Sequence, residues 1–314
     1  MRTQAVGASN GRLGSLAGFR LSRRRLRGLG GLVWLIPALA LVSFSAVYPL
    51  LRSIYIAFFK YQITDFGGGT FAGLKNFAKI PQDHVFRVAI VNTVVFALSS
   101  VAIAFVGGLL LAMVVASFPR RFEVLRVIFL IPWVLPGAVV GLFSVFFFDQ
   151  EVGLLNLTLA HLHIGPSHFA WLSNASTAMP AAIAVNVWAQ IPFFVLIFTA
   201  ALTSIPFELR EAMRIDGAHW WQELRYLTLP YLRNVMVIVS LVAFIGNINN
   251  FGLIYTMTQG GPAFATTTVA IYIYQLAFQL FDFGYSSAIG VVWLIAIMII
   301  AALYIRLLRR EALN

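Results

Sequence analysis

Residues 204–230 read SIPFELREAMRIDGAHWWQELRYLTLP, a polar stretch between two long apolar segments of the chain. Pro206 suits the first turn of a helix, where its missing N–H is not needed, and Glu208 and Glu211 fall near the positive end of the helix dipole. Gly217 can adopt the left-handed conformation that ends one helix, and the residues after it can form a second helix. The stretch therefore predicts a compact pair of short helices.

The composition of the whole chain indicates an integral membrane protein. Hydrophobic residues make up 60% of its 314 residues, charged residues make up 11%, and the mean hydropathy is +0.87. An ordinary soluble domain has roughly a quarter of its residues charged. The chain has no cysteine, which excludes disulfides, thiolate nucleophiles and Cys-ligated metal sites.

Six apolar stretches are long enough to cross a bilayer core about 30 Å thick, which takes roughly 20 residues of helix. We place them at residues 31–58, 87–116, 124–148, 178–203, 233–258 and 284–308. The predicted fold is an all-α integral membrane protein with six transmembrane helices. The polar stretch separates the fourth span from the fifth, and its end, Leu229-Pro230, is expected to turn the chain back to the membrane.

The positions of the basic residues orient these spans, because Lys and Arg near helix ends are retained on the cytoplasmic side. Of the 22 such residues, five lie in or beside the first gap between spans, and the third and fifth gaps have none. Both termini are therefore predicted to be cytoplasmic, with residues 1–28 as a basic tail held to anionic lipid headgroups. Because the net charge of +11 follows this topology, we expect no nucleic acid partner.

The residues of the polar stretch alone leave two interpretations open. It can be a docking element on the cytoplasmic face, or an ordinary amphipathic connection with Trp220 and Trp221 as interface anchors. Its spacing resembles the EAA loop of the permeases of binding-protein-dependent ABC importers, which reads EAA, three residues, Gly, nine residues, Ile, any residue, Leu-Pro. Every spacing agrees, while Met213 replaces the second Ala and Leu227 replaces the Ile.

This resemblance implies a type I ABC importer permease fold, with residues 29–314 as the transmembrane permease domain. It also implies that a coupling helix within residues 204–230 sits in a cleft of an ATPase subunit. The coupling residues carried over from the pattern are Glu211, Ala212, Asp216, Gly217, Leu229 and Pro230.

The segments around the loop resemble those of the carbohydrate-importing branch of the same family. They are FAGLKNF (71–77), NTVVF (92–96), WAQIPFF (188–194), LTSIPFELREA (202–212), TQGGPAFATTT (258–268) and FGYSSAIG (283–290). The resemblance implies a multi-pass protein of the bacterial cytoplasmic (inner) membrane that passes a sugar or sugar derivative. The implied partners are a second related permease in a heterodimer, two ATPase subunits and an extracytoplasmic substrate-binding protein.

The chain itself is expected to bind no cofactor. It has no GxxxxGK followed by Ser or Thr, the pattern of a phosphate-binding loop that uses ATP. Energy is therefore expected to come from the partner ATPase subunits, which would hold ATP and Mg.

Polar residues inside the spans are candidates for a substrate path, because a sugar needs polar groups for its hydroxyls and aromatic faces for its C–H surfaces. The candidates are Asn186, Trp188 and Gln190 in the fourth span and Asn247, Asn250 and Tyr255 in the fifth. Asn247 and Asn250 are three residues apart and share a helical face, and amides of this kind should face the bundle interior. The alternative is that they only hydrogen-bond one helix to another.

Other functions are less well supported by the residues. No nucleophile–base pair occurs at membrane depth, so we expect no catalytic residue and no enzyme activity. His161, His163 and His168 lie in an outer gap, where a solvated loop is a better interpretation than a metal site. A self-contained secondary carrier for a small polar solute is the alternative function, although such carriers usually keep a carboxylate within their spans.

Two pairs of residues within the spans are expected to serve the scaffold. Pro132 and Pro136 are expected to kink the third span, and Gly107 and Gly108 to permit close helix packing.

Overall fold

The computed structural model describes residues 35–62, 69–116, 129–166 and 168–311. The predicted basic tail and the beginning of the predicted third span lie outside these ranges. A short antiparallel ribbon pairs β1, Phe59–Lys60, with β2, Thr70–Phe71. The helices of the described part are α1 Ile36–Ile56, α2 Lys75–Lys79, α3 His84–Ala116, α4 Ile131–Val134, α5 Gly137–Phe147, α6 Leu154–His161, α7 Ala175–Thr203, α8 Phe207–Ile215, α9 Trp220–Ile248, α10 Gly252–Thr258, α11 Val269–Gln279 and α12 Phe283–Glu311.

Five helices of the described part are long and apolar enough to cross a membrane, namely α1, α3, α7, α9 and α12. They correspond to the first, second, fourth, fifth and sixth predicted spans. The third predicted span, 124–148, is present in the described ranges only as the short helices α4 and α5. The count of six spans therefore stays a prediction.

The interruption between α4 and α5 has a local cause. Leu135 has an extended backbone with ψ of 138°, because Pro136 disfavours helical backbone in the residue before it. The kink predicted at Pro136 is thus a full break. Pro132 lies in the first turn of α4, directly after a turn at Leu130, and residues 117–128 lie outside the described ranges, so the kink predicted there stays a prediction.

The fifth predicted span, 233–258, is also interrupted, and its prediction as one helix is wrong. Residues 249–251 separate α9 from α10. Asparagine side chains compete with the helix for backbone carbonyls, and Asn249 Nδ2 donates to Ile245 O at 2.9 Å. Gly252 then lets the chain approach α5 closely.

Wide π turns precede prolines in two of the long helices. In α9, residues Leu224–Thr228 form a π turn in which the N–H of Leu229 donates to the carbonyl five residues earlier, directly before Pro230. In α1, the π turn Ser43–Val47 lies just before Pro49. Proline has no N–H and crowds the preceding turn, and a wider turn relieves that crowding. Because α9 runs through Leu229-Pro230, the prediction that these residues turn the chain is wrong.

The main hydrophobic core lies between α3, α7 and α9. Gly108 lets α3 approach α7 closely, because a Cβ atom there would lie 2.3 Å from Phe194 Cβ. Phe105 packs edge-on against Phe194 and Phe198, with ring centroids 6.0 and 5.2 Å apart. The packing role predicted for Gly107 and Gly108 is confirmed, since both face α7.

Two further cores complete the described structure. One lies between α5, α7 and α10, and the other joins α11, α12 and the beginning of α3. Asn76 fastens the β1 strand, because its Nδ2 donates to Ala57 O and Phe59 O at 2.9 Å each. Among the described residues, those from Ile56 onwards form one compact unit, and those up to Tyr55, which hold most of α1, form another.

Candidate coupling surface and substrate path

Helix α8 is bounded as its sequence predicts, by a proline and a left-handed glycine. Pro206 is its N-cap, and Gly217 has φ of +76°. The N–H of Gly217 donates to Arg214 O at 3.1 Å, and that of Ala218 donates to Met213 O at 3.0 Å. These two bonds satisfy carbonyls that the helix end leaves without partners. The predicted end of the first short helix at Gly217 is therefore confirmed.

The second short helix of the prediction is the beginning of α9. The backbone N–H of His219 donates to Gln222 Oε1 at 2.7 Å, which caps the first turn. Trp220 and Trp221 follow, both exposed, with their rings in edge contact at 5.6 Å. The chain between residues 204 and 230 is thus a compact elbow, with α8 as its short arm.

Most of α8 is exposed, and one of its sides carries Glu211 and Ala212 of the EAA pattern. Phe207, Glu211 and Ile215 are four residues apart and so lie on one side of the helix, with Ala212 next to them. Phe207 and Ile215 are 67% and 80% exposed. Large apolar side chains exposed beside an acidic residue are typical of a protein interaction surface. We name Phe207, Glu211, Ala212 and Ile215 the α8 face.

The remaining predicted coupling residues differ in their surroundings. Asp216 and Gly217 are exposed at the turn, and a Cβ atom on Gly217 would meet no other atom of the described residues within 4 Å. Leu229 packs against the main core, while Pro230 is exposed within α9. The last two residues therefore position the elbow, and the α8 face and the turn are free to meet a partner.

Four of the six predicted path residues form one hydrogen-bonded network, which we name the amide network. Asn186 Nδ2 donates to Asn247 Oδ1 at 2.6 Å, and Asn247 Nδ2 donates to Gln190 Oε1 at 3.1 Å. Asn250 Nδ2, beyond the end of α9, donates to Asn186 Oδ1 at 3.1 Å. Asn186 and Asn247 are 5% and 3% exposed, so the network lies inside the bundle.

The amide network has the two properties that the sequence left as alternatives. It joins α7 to α9, and a primary amide offers both donors and acceptors that can exchange partners with hydroxyl groups. Asn247 and Asn250 both meet Asn186, but Asn250 lies beyond the end of α9, so the prediction that the two residues share a helical face is wrong. The amide network lies beside residues 249–251, where the backbone is not in a regular helix.

Trp188 does not join the amide network. It is two residues from Asn186, which turns it to another side of α7, and it is 55% exposed. It lines an open cleft of about 510 Å³ together with α5 residues, including Phe143 and Phe147. Trp188 and the network thus face different surroundings in this structure.

Tyr255 belongs to an aromatic group that the sequence did not single out. Its ring stacks on Phe251, with centroids 4.8 Å apart, and meets Tyr274 edge-on at 4.9 Å. Phe278 continues the group, 5.1 Å from Tyr274. Tyr274 and Phe278 are four residues apart, a helical spacing that marks a shared face, but only the tertiary structure brings them to α10.

Asp83, which the sequence reasoning missed, joins three helices at the beginning of α3. Its Oδ2 accepts from Tyr272 Oη at 2.6 Å and from Tyr285 Oη at 2.7 Å, and its Oδ1 accepts from Phe86 N at 3.0 Å. Burial opposes ionisation, but these bonds and one from the Val85 backbone outweigh it and hold the pKa of Asp83 below its ordinary value. Its position as N-cap of α3 is the signal that could have found it.

The TQGGPAFATTT segment is fastened to α3. Asn92 Nδ2 donates to Phe264 O at 2.8 Å and to Thr267 O at 3.0 Å, and Thr93 Oγ1 accepts from Val269 N at 2.9 Å. Gln259, Gly260, Ala263 and Phe264 all have positive φ, so the segment holds a compact non-helical form.

The outer histidines show no arrangement for a metal ion within the part of the chain that the structure describes. No group of three or more His, Cys, Asp or Glu residues is close enough there to hold one. His168 Nδ1 lies 3.2 Å from Glu151 Oε2, with both side chains exposed.

Comparison with known proteins assigns the class. Residues 104–313 match the family described as "Binding-protein-dependent transport system inner membrane component". The chain is similar to the sulfoquinovosyl glycerol transport system permease protein SmoG of Agrobacterium fabrum, with 34% identity over 88% of this chain and 89% of the relative. It is also similar to the trehalose/maltose transport system permease protein MalF of Thermococcus litoralis, with 28% identity over 88% of this chain and 92% of the relative.

A solved structure agrees on the fold. A chain of a bacterial alginate ABC transporter, in complex with an alginate pentasaccharide-bound periplasmic protein, superposes with a TM-score of 0.78. It covers 93% of this chain and 98% of its own length at 22% identity. The fold and the elbow define a multi-pass membrane permease of the type I ABC importer architecture. The chain belongs to the family of binding-protein-dependent transport system inner membrane components, which does not favour a self-contained carrier.

Proposed function

We propose that this chain passes a sugar or sugar derivative across the bacterial inner membrane as one permease of a heterodimer. A substrate-binding protein delivers the solute outside, and two ATPase subunits supply the energy while holding ATP and Mg. The chain itself performs no chemistry. The printed substrates of its relatives, sulfoquinovosyl glycerol and trehalose or maltose, support the substrate class.

The observation that carries the proposal is the exposed α8 face beside the left-handed turn. Glu211 can accept charge-assisted hydrogen bonds from a donor in an ATPase cleft, and the small Ala212 with the bare Gly217 allows close backbone approach. Phe207 and Ile215 supply apolar area that no residue of the described chain covers fully. When the ATPase subunits close on ATP, α8 moves with the ATPase cleft that holds it, and the spans attached to α8 move as rigid bodies.

The same proposal gives the amide network a role in the path. A solute entering between α7 and α9 meets Asn186, Asn247 and Asn250, whose amides exchange their mutual bonds for bonds to sugar hydroxyls. Alternating access requires such exchange, because the site must hold the solute and then release it. Trp188 and Tyr255 offer aromatic faces at other points of the route.

The predicted orientation completes the proposal, with both termini and α8 on the cytoplasmic side. The basic residues support this orientation. Arg210, Arg214, Arg225 and Arg233 all lie in or at the edge of the gap between spans that holds α8, and the positive-inside rule assigns such a basic gap to the cytoplasmic side.

Reconstitution of the whole complex tests the function. This chain, a second permease, the ATPase subunits and the binding protein are placed in proteoliposomes with labelled maltose, trehalose or sulfoquinovosyl glycerol. We expect uptake that requires ATP and the binding protein for at least one of these probes. Uptake by vesicles that contain this chain alone, driven by a solute or ion gradient, would contradict the proposal.

A further inference from the structure

Arg210 is half-buried, unlike the exposed residues of the α8 face, and its side chain reaches both of the spans that flank the elbow. Its Nη2 donates to Leu202 O, in the last turn of α7, at 2.9 Å. Its Nε lies 3.8 Å from Glu223 Oε1, in the first turn of α9. One guanidinium therefore joins α7, α8 and α9.

The surroundings of Arg210 make this contact stronger than an ordinary surface pair. The side chains of Arg210 and Glu223 are 27% and 25% exposed, so salt and water screen their attraction less than at an open surface. The Leu202 carbonyl lies in the last turn of α7, at the negative end of the helix dipole, and its other donor is Ile205 N at a long 3.4 Å. A guanidinium is a planar fork that can meet two acceptors at once, which a lysine ammonium does less well. Here Nη2 makes the hydrogen bond to Leu202 O, while Nε forms an ion pair with Glu223 at 3.8 Å without a hydrogen bond.

A second contact ties the same two spans together. Tyr231 Oη, on α9, donates to the carbonyl of Ser204, the C-cap of α7, at 3.0 Å. The end of α7 is therefore joined to α9 directly through Tyr231 and by way of α8 through Arg210. Only three residues connect α7 to α8, and four residues with Gly217 at the turn connect α8 to α9.

We propose that Arg210 is a positioning residue for energy coupling, which holds α8 rigidly on α7 and α9. The inference rests on the proposed function, in which α8 is seated in an ATPase subunit. Without the contacts of Arg210, α8 can pivot about Gly217 when the ATPase subunit that holds it moves. The movement of α8 is then not transmitted to α7 and α9. With them, α7, α8 and α9 move as one body, and the amide network between α7 and α9 moves with them.

A purely structural role for Arg210 makes a different prediction. If Arg210 only stabilises the fold, its loss lowers the amount of assembled complex, and each remaining complex transports normally. If it positions α8, the complex assembles and hydrolyses ATP, but transports fewer solute molecules for each ATP. The ratio of uptake to ATP hydrolysis in assembled complexes therefore separates the two roles.

The test uses the complete reconstituted complex and whichever of labelled maltose, trehalose and sulfoquinovosyl glycerol the unaltered complex takes up. The variants are Arg210→Ala, Arg210→Lys and Glu223→Gln. Arg225→Ala is the matched control, since it removes an exposed arginine of α9 whose guanidinium lies 6.0 Å from the Tyr226 ring. We expect Arg210→Ala to lower uptake per ATP about tenfold, the range of a typical coupling energy between sites.

The other variants grade the effect. Arg210→Lys is expected to recover part of the ratio, and Glu223→Gln to lower it less than Arg210→Ala, because Arg210 then keeps its bond to Leu202. Arg225→Ala should leave the ratio unchanged. Copurification of the ATPase subunits is measured for each variant, so that assembly and coupling are recorded separately.

An unchanged ratio in assembled Arg210→Ala complexes overturns the inference while leaving the proposed function intact. If Arg210→Ala does not assemble, Glu223→Gln and Tyr231→Phe, which nearly preserve side-chain size, carry the test, and an unchanged ratio in both overturns it. Failure of the unaltered complex to couple ATP to uptake of any probe instead contradicts the proposed function.

Discussion

Gly217→Asp should abolish ATP-driven uptake while leaving the protein inserted and folded. The backbone of Gly217 has φ of +76°, where an L-residue costs roughly 1–2 kcal/mol, and less for Asp or Asn. A Cβ atom there meets no other atom of the described chain within 4 Å, so no clash adds to that penalty. Against the roughly 5–15 kcal/mol of a typical fold, the permease itself should tolerate the change.

The loss arises when the turn is covered by an ATPase subunit. Covering an unpaired carboxylate costs several kcal/mol, and about 3 kcal/mol corresponds to roughly hundredfold weaker binding of the ATPase subunit to α8 and its turn. Gly217→Asn has the same size without the charge, and covering an unpaired amide costs about 1–3 kcal/mol, so about tenfold is expected. The two variants therefore separate charge from bulk.

The assay is ATP-dependent uptake in proteoliposomes, with membrane insertion and bound ATPase subunits measured on the same samples. Gly165→Asp is the matched control for insertion and folding, because Gly165 also has positive φ, +72°, and open surroundings, but lies far along the chain from the elbow. Uptake at the unaltered rate by an assembled Gly217→Asp complex would refute the coupling role of the α8 face and its turn.

Three further results are expected. Gly108→Val should lower the unfolding temperature, because its added side chain collides with Phe194 and overpacking costs about 1–3 kcal/mol; an unchanged melting curve would contradict the close packing of α3 on α7. Asn186→Ala removes the hydrogen bonds that Asn247 Oδ1 and Asn250 Nδ2 make to Asn186, at about 1–3 kcal/mol, and should reduce both the unfolding temperature and uptake; full uptake would argue against a path role. The stability that Asp83 contributes is present at neutral pH and is lost as pH falls through its lowered pKa, so Asp83→Asn should reduce the acid dependence of the unfolding temperature. An identical pH profile of the variant would show that Asp83 does not contribute this stability.

The elbow could be predicted from the sequence because its signals are local. A proline, an acidic first turn and a glycine act within a few residues of themselves, and Pro206 and Gly217 bound α8 as expected. The long spans follow from hydropathy for a similar reason, since backbone groups in lipid must be satisfied within their own helix. The EAA spacing added a class of protein that the comparisons confirm.

The same local reasoning was wrong where a distant contact or a compensating turn decides the backbone. Leu229-Pro230 looked like a turn, but the π turn before it keeps α9 continuous. The fifth span looked like one apolar helix, but residues 249–251 interrupt it where Asn250 reaches Asn186 on α7. A hydropathy average does not register either arrangement.

The sequence by itself determined that this chain crosses a membrane and carries a short polar elbow, because apolar length, charge asymmetry and turn residues act locally; its resemblance to the EAA pattern indicated the class of permease. Only the tertiary structure decided which side chains meet: that Asn186 joins the amide network while Trp188 does not, that Asp83 receives two tyrosines, and that Arg210 bridges α7 and α9. The contacts of the amide network and of Asp83 join residues far apart in sequence, while those of Arg210 join neighbouring helices, and in each case the partners are chosen by how the helices pack. No periodicity along a single segment carries that information.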